Sequence, residues 1–153
     1  MPIDYNLEIE SQLSPKELLE IIIQSGNFKC RDKVFFYTDG LVGLVSKNFE
    51  QSRQIIQEYF NFQPTLTVNF SPDQSAEDEV YYEAMHKGLK TFMDILKHEA
   101  GDAVCLMEGE SVVFTRISGK LIVNLNKFYE ADAVWTFDQI PFPYETKEFE
   151  ILN

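Results

Sequence analysis

Three short apolar runs, at residues 103–107, 112–117 and 121–125, follow one another with almost no chain between them. Gly109 marks the first turn and Ser118-Gly119 the second. Parallel neighbours need a crossover of about a dozen residues or more, so these runs can pair only as an antiparallel meander. That unit constrains the rest of the chain. It argues for an α+β fold, an antiparallel sheet with helices on one face, and against a doubly wound parallel sheet.

The remaining segments fit the same plan. Ile3, Tyr5, Leu7 and Ile9 alternate with Asp4, Asn6, Glu8 and Glu10, which predicts a half-buried strand. Ser14-Pro15-Lys16-Glu17 predicts a helix start, with Ser14 capping, Pro15 at the first helical position and Glu17 closing a capping box. Leu18, Leu19, Ile22 and Ile23 give that helix its apolar side, and Gly26 stops it. Asp39-Gly40 between runs 34–38 and 41–46 is a two-residue hairpin signal. A short helix is expected over 50–59, burying Ile55, Ile56 and Tyr59, and a strand over 65–70, ended by Ser71-Pro72-Asp73. The longest helix is expected over about 75–99, started by Ser75, with Tyr81, Ala84, Met85, Gly88, Leu89, Phe92, Ile95 and Leu96 as its apolar stripe. A turn of helix over 137–140 precedes Pro141-Phe142-Pro143-Tyr144, where prolines forbid regular structure. The spacing predicts one domain over residues 1–153, since compact domains cluster near ~100–150 residues.

Thirteen Phe and seven Tyr supply a core and argue against disorder. Lys plus Arg is 13 against 25 Asp plus Glu, a formal net charge of -12. Phosphate backbones and anionic membrane surfaces attract basic proteins, so neither nucleic acid nor membrane is an expected partner. A basic protein partner would be drawn in, although excess negative charge also simply confers solubility. No apolar run approaches ~18 residues, and the first residues, Met1-Pro2-Ile3-Asp4-Tyr5, lack the basic and apolar regions of a signal peptide. Cys30 and Cys105 lie far apart, each in an apolar run, which predicts two buried free thiols and a cytoplasmic, reducing location.

Catalytic and cofactor motifs are missing. His86 and His98 are twelve residues apart on one predicted helix, ~18 Å along its axis, too far to share a metal. No phosphate-binding loop, dinucleotide fingerprint or nucleophile elbow occurs, and Gly40 and Gly43 fall inside the predicted hairpin. No metal and no cofactor is expected. The acidic run Glu77-Asp78-Glu79 suits a helix first turn. Glu108 and Glu110 bracket Gly109 in a tight turn, an ordinary arrangement that is also where an interaction loop would sit. Aromatics crowd the C-terminal segment, with Tyr129 and Trp135 lying among Glu130 and Asp132. Aromatics ringed by charge have the composition of a protein-binding hot spot, and equally of a core.

Four stretches resemble the Sit-type immunity proteins of bacterial toxin–immunity pairs. They are Asp4-Tyr5-Asn6-Leu7 with Leu13-Ser14-Pro15-Lys16-Glu17-Leu18-Leu19, then Phe60-Asn61-Phe62-Gln63-Pro64-Thr65-Leu66-Thr67-Val68-Asn69-Phe70, then the run from Gly101 to Glu110 with Val112 and Val113, and last Pro143-Tyr144-Glu145. They fall in the family's order over nearly the whole chain. The departure is at 112–125, where Arg116 and Lys120 alone are basic and relatives tend to carry more.

The resemblance implies a non-enzymatic protein that masks a cognate toxin by direct contact, possessing no catalytic residues to carry over. The residues themselves place the partner-binding surface at Glu108, Glu110, Tyr129, Glu130, Asp132 and Trp135. Two other readings stand beside it: a small enzyme with an unfamiliar carboxylate site, and a homo-oligomeric scaffold protein, the oligomeric state being unreadable from sequence.

Overall fold

The computed structural model of the protein describes residues 3–130 and 133–152. Its elements run β1 (Tyr5–Ile9), α1 (Pro15–Gln24), β2 (Lys29–Arg31), β3 (Phe35–Thr38), β4 (Leu41–Lys47), α2 (Glu50–Phe60), β5 (Leu66–Pro72), α3 (Asp78–His98), β6 (Ala103–Met107), β7 (Ser111–Ile117), β8 (Lys120–Asn124), a 3-10 turn (Phe137–Gln139) and β9 (Glu145–Lys147). The strands form one sheet in the order β2-β3-β4-β5-β1-β6-β7-β8-β9. Every pairing from β2 to β8 is antiparallel, and β9 alone runs parallel to its neighbour β8. The fold is α+β, with the meander of β6, β7 and β8 as the turns required.

The N-terminal strand sits at the centre. Tyr5, Leu7 and Ile9 stand opposite Phe70, Val68 and Leu66 on one side and Met107, Cys105 and Ala103 on the other. Cross-strand partners share a face. That row, with Leu41 and Val45, meets α1 through Leu18, Leu19 and Ile22 and α3 through Met85, Leu89 and Phe92. Aromatic rings run through this layer: Tyr5 stacks on Phe70 at 5.1 Å, and Phe70 meets Phe92 at 5.1 Å. Gly43 is needed here. The Phe36 ring lies over its backbone, and a Cβ would come within 2.0 Å of that ring. The long helix and α1 thus share one face of the sheet.

The third helix crosses the opposite face. Ile56 of α2 is packed with Phe62, Val104, Leu106 and Val112 in a second, smaller apolar cluster. Only Ile56 of the three expected apolar contacts is buried; Ile55 and Tyr59 are exposed. β1 is correspondingly buried on both sides, and Glu8 is only 2% exposed. The alternation that predicts a half-buried strand here records polar residues paired across strands. Asn48 and Thr67 both donate to Glu8 Oε2, the hydroxyl at 2.7 Å. Beside them Asn69 Nδ2 donates to Asn6 Oδ1 at 2.5 Å, and Ser71 Oγ to Asp4.

Local chemistry explains most boundaries. Ser14 and Glu17 form the full capping box, each side chain bonded to the other's backbone N–H. α3 begins at Asp78 and not at Ser75, because the N–H and hydroxyl of Ser75 both bond Asp73 in a turn. β5 runs on through Ser71 to Pro72, which pairs with Leu41 at the strand's end, where a missing N–H costs little. Two edge strands, β2 and β9, lie outside the sequence-based expectation. The first corrects the thiol reading: Cys105 is buried, but Cys30 stands exposed on β2, the sheet's outer edge, and both are free.

Candidate interaction surface

The turn between β6 and β7 spans residues 108–110, between the paired Met107 and Ser111, with Glu108 and Gly109 both at positive φ (55° and 74°). Its carboxylates project into solvent because the turn's main chain is tied down: Glu108 N–H donates to Asp4 O at 2.8 Å, and Leu152 N–H donates to Glu110 O at 2.9 Å. β8 ends at the same corner, its Asn124 side chain donating to Val112 O at 2.7 Å. The loop beyond carries Tyr129, 51% exposed, and Glu130, also exposed. Asp132 lies outside the described residues.

Trp135 does not belong to this surface. It is 2% exposed, with its ring 4.8 Å from Tyr5 and its Nε1 donating to Met85 O at 2.8 Å. A ring this large with one donor is held where both needs are met, under α3. Its role is to pin the loop: Tyr129 N–H donates to Trp135 O at 3.1 Å, and Phe137 N–H returns to Tyr129 O at 3.0 Å. Burial of Trp135 fixes Tyr129 outward. Tyr5, between the turn and the loop, has its hydroxyl pKa raised, chiefly by burial and in smaller part by Tyr81, Cys105 and Glu108.

The C-terminal tail joins the same corner. Leu125 N–H donates to Lys147 O at 3.0 Å, bringing Glu148, Glu150 and the 59% exposed Ile151 beside the Glu108–Glu110 turn and the 41% exposed Leu125. The exposed Glu110 of the turn thus lies beside the tail that carries the exposed Glu148 and Glu150, with Lys147 in the same stretch. The turn residues are readable from sequence. The tail residues are not, since nothing local announces that the tail returns to this turn.

Other candidate groups are placed elsewhere. Arg116 is 9% exposed and holds the end of α3, donating to Leu96 O and Gly101 O, both at 2.6 Å, and to Glu99 O. Its Nη1 and Nη2 are therefore occupied, its buried Nε has no hydrogen-bond partner, and burial lowers its pKa against the opposing pull of Asp102 and Glu99. His86 and His98 are both exposed on α3. No group of three or more His, Cys, Asp or Glu among the described residues is arranged to hold a metal ion. Glu8 has a raised pKa, first from burial, with bonds from Thr67, Ser52 and Asn48 pulling it back. It lines none of five surface clefts of 370–510 Å³. No described helix is long and apolar enough to cross a membrane.

The architecture defines an α+β protein with an exposed, charged turn and tail at one corner of its sheet. The SitI3-like family model matches residues 3–136, and the chain belongs to that family, which places it among the Sit-type immunity proteins. No curated protein and no solved structure matches it.

Proposed function

We propose that this chain is an immunity protein that binds a cognate toxin in the cytoplasm of the producing cell and masks it by contact alone, without catalysis. Membership of the SitI3-like family, over residues 3–136, is the observation that carries this reading. The acidic corner supports a more specific form, in which the toxin presents a basic surface to Glu108, Glu110 and Glu130 while Tyr129 contributes desolvated area. The formal charge of -12 favours the same partner through long-range steering.

The test uses the product of the neighbouring reading frame as the candidate toxin, with association followed by surface plasmon resonance at low and high salt. The double variant Glu108→Lys/Glu110→Lys should fold normally, because both side chains are exposed. Its on-rate should fall about tenfold at low salt, and the difference should shrink as salt rises. An unchanged on-rate and affinity would remove this corner from the interface. Failure of the wild-type chain to bind, or to protect cells expressing that product, would remove the immunity reading itself.

A further inference from the structure

At the opposite end of β7 from the Glu108–Glu110 turn, the last turn of α3, the β7–β8 turn and the strap carrying Phe142 and Pro143 enclose a cleft of about 390 Å³. Small-molecule sites span roughly 300–1,000 Å³, so this one has room for a compact organic ligand. Leu96, Leu121, Phe142 and Pro143 give it apolar walls, and Lys97, His98 and Arg116 give it its basic groups. No carboxylate lines it among the described residues, whereas each of the other four clefts carries at least one. In a chain with 25 Asp plus Glu against 13 Lys plus Arg, a cationic cleft stands against the overall charge.

Arg116 is the second observation. Arginine is almost never buried without a paired anion. Arg116 is 9% exposed, yet all its hydrogen bonds go to carbonyls and it forms no ion pair among the described residues. Its buried Nε has no partner at all. The nearby carboxylates are engaged elsewhere: Asp102 accepts the Ser118 N–H at 2.9 Å, and Glu99 accepts the Ser11 hydroxyl. By binding Leu96 O and Glu99 O, Arg116 also covers the negative end of the α3 dipole, which would otherwise repel an anion. Lys97 and His98 flank the same cleft, exposed and without ion-pair partners among the described residues.

We propose that this cleft binds a small organic monocarboxylate with an aromatic or hydrocarbon body. The carboxylate lies against Lys97, His98 and the uncompensated charge of Arg116, and the body lies against Leu121 and Phe142. Phosphate is the poorer fit. Nη2 already donates twice, so neither edge of the guanidinium can fork onto it, and the apolar walls offer its remaining oxygens no donors. The inference is independent of the toxin-binding reading.

The test titrates 2-naphthoate into the full-length chain by isothermal titration calorimetry, with 2-naphthylmethanol as the uncharged control and inorganic phosphate as the anion without an apolar body. Naphthoate should bind at one site per chain, at least about tenfold more tightly than either control. The double variant Lys97→Gln/His98→Gln should fold normally, because both side chains are exposed, and should weaken naphthoate about tenfold with little change for the alcohol. Phe142 lines this cleft and not the neighbouring one that shares Lys97, so Phe142→Ala should weaken naphthoate and alcohol alike. No saturable binding at millimolar naphthoate, equal or tighter binding of the alcohol or phosphate, or an unchanged naphthoate affinity in either variant would overturn the proposal.

Discussion

Leu7 and Glu8 are neighbours on the central strand, both almost fully buried, yet they enter different surroundings. Leu7 joins a layer closed by α1 and α3, with Phe70, Phe92 and Trp135 filling the space. Glu8 enters a polar row beneath the start of α2, answered by Asn48 and Thr67. The first face is held by volume and the second by matched donors and acceptors. The contrast teaches that alternation along a strand can report two kinds of interior and need not report water on either side.

Breaking the first face should have the largest effect. Phe92→Ala removes a ring that is 0% exposed and should destabilise the fold by about 3–5 kcal/mol in urea unfolding. A cost below about 1 kcal/mol would mean that the helix layer is not packed as described.

A smaller and opposite effect should sharpen the second face. Burial holds the Glu8 pKa above its unfolded value, so the folded state binds the proton more tightly. Stability should therefore fall as pH rises from the ordinary carboxyl range through the folded pKa, and level off above it. Glu8→Gln should flatten that slope and stabilise the protein at neutral pH by on the order of 1 kcal/mol, because an amide can donate to Asn48 Oδ1, a buried oxygen with no hydrogen bond. Thermal unfolding between pH 4 and 8 reads both results, and an unaltered slope in the variant would assign the dependence to other groups.

The comparison extends to the thiols with no change in stability at all. Cys30 pairs with Phe36, whose side chain joins the same helix-covered layer as Cys105, but the cover ends before the outer edge is reached. An aromatic disulfide reagent should titrate one thiol quickly in native protein and both after unfolding without reductant. Burial also raises the Cys105 pKa well above the usual thiol range, which suppresses its thiolate. Recovery of neither thiol would undo the proposed cytoplasmic location.

These contrasts mark what the sequence could convey. The Ser14–Glu17 box, the Asp39-Gly40 hairpin and the turns at Gly109 and Gly119 depend on neighbours in the chain, and they stand where the sequence places them. β2 is Lys-Cys-Arg, with no alternation to read, and β9 is specified by the edge it joins. The candidate surface divides the same way. Glu108, Glu110, Tyr129 and Glu130 are exposed as their turn and loop chemistry suggests. Trp135 is drawn inward by Met85 and Tyr5, partners 50 and 130 positions away, which no local pattern reveals.

The central placement of β1 also sets a clock. Residues 35–47 can close their hairpin, and residues 103–124 their meander, from adjacent chain. The strand that joins these two half-sheets is made first and must wait for β5 and then β6. At ribosomal rates of ~5–20 residues per second, its last partner emerges about 5–20 seconds later. During that interval α1, β5 and α3 are made, but Tyr5, Leu7 and Ile9 lack the β6 flank that completes their cover. Assembly of the nine-stranded sheet is thus gated by its longest-range pairing, the kind of topology associated with slow folding.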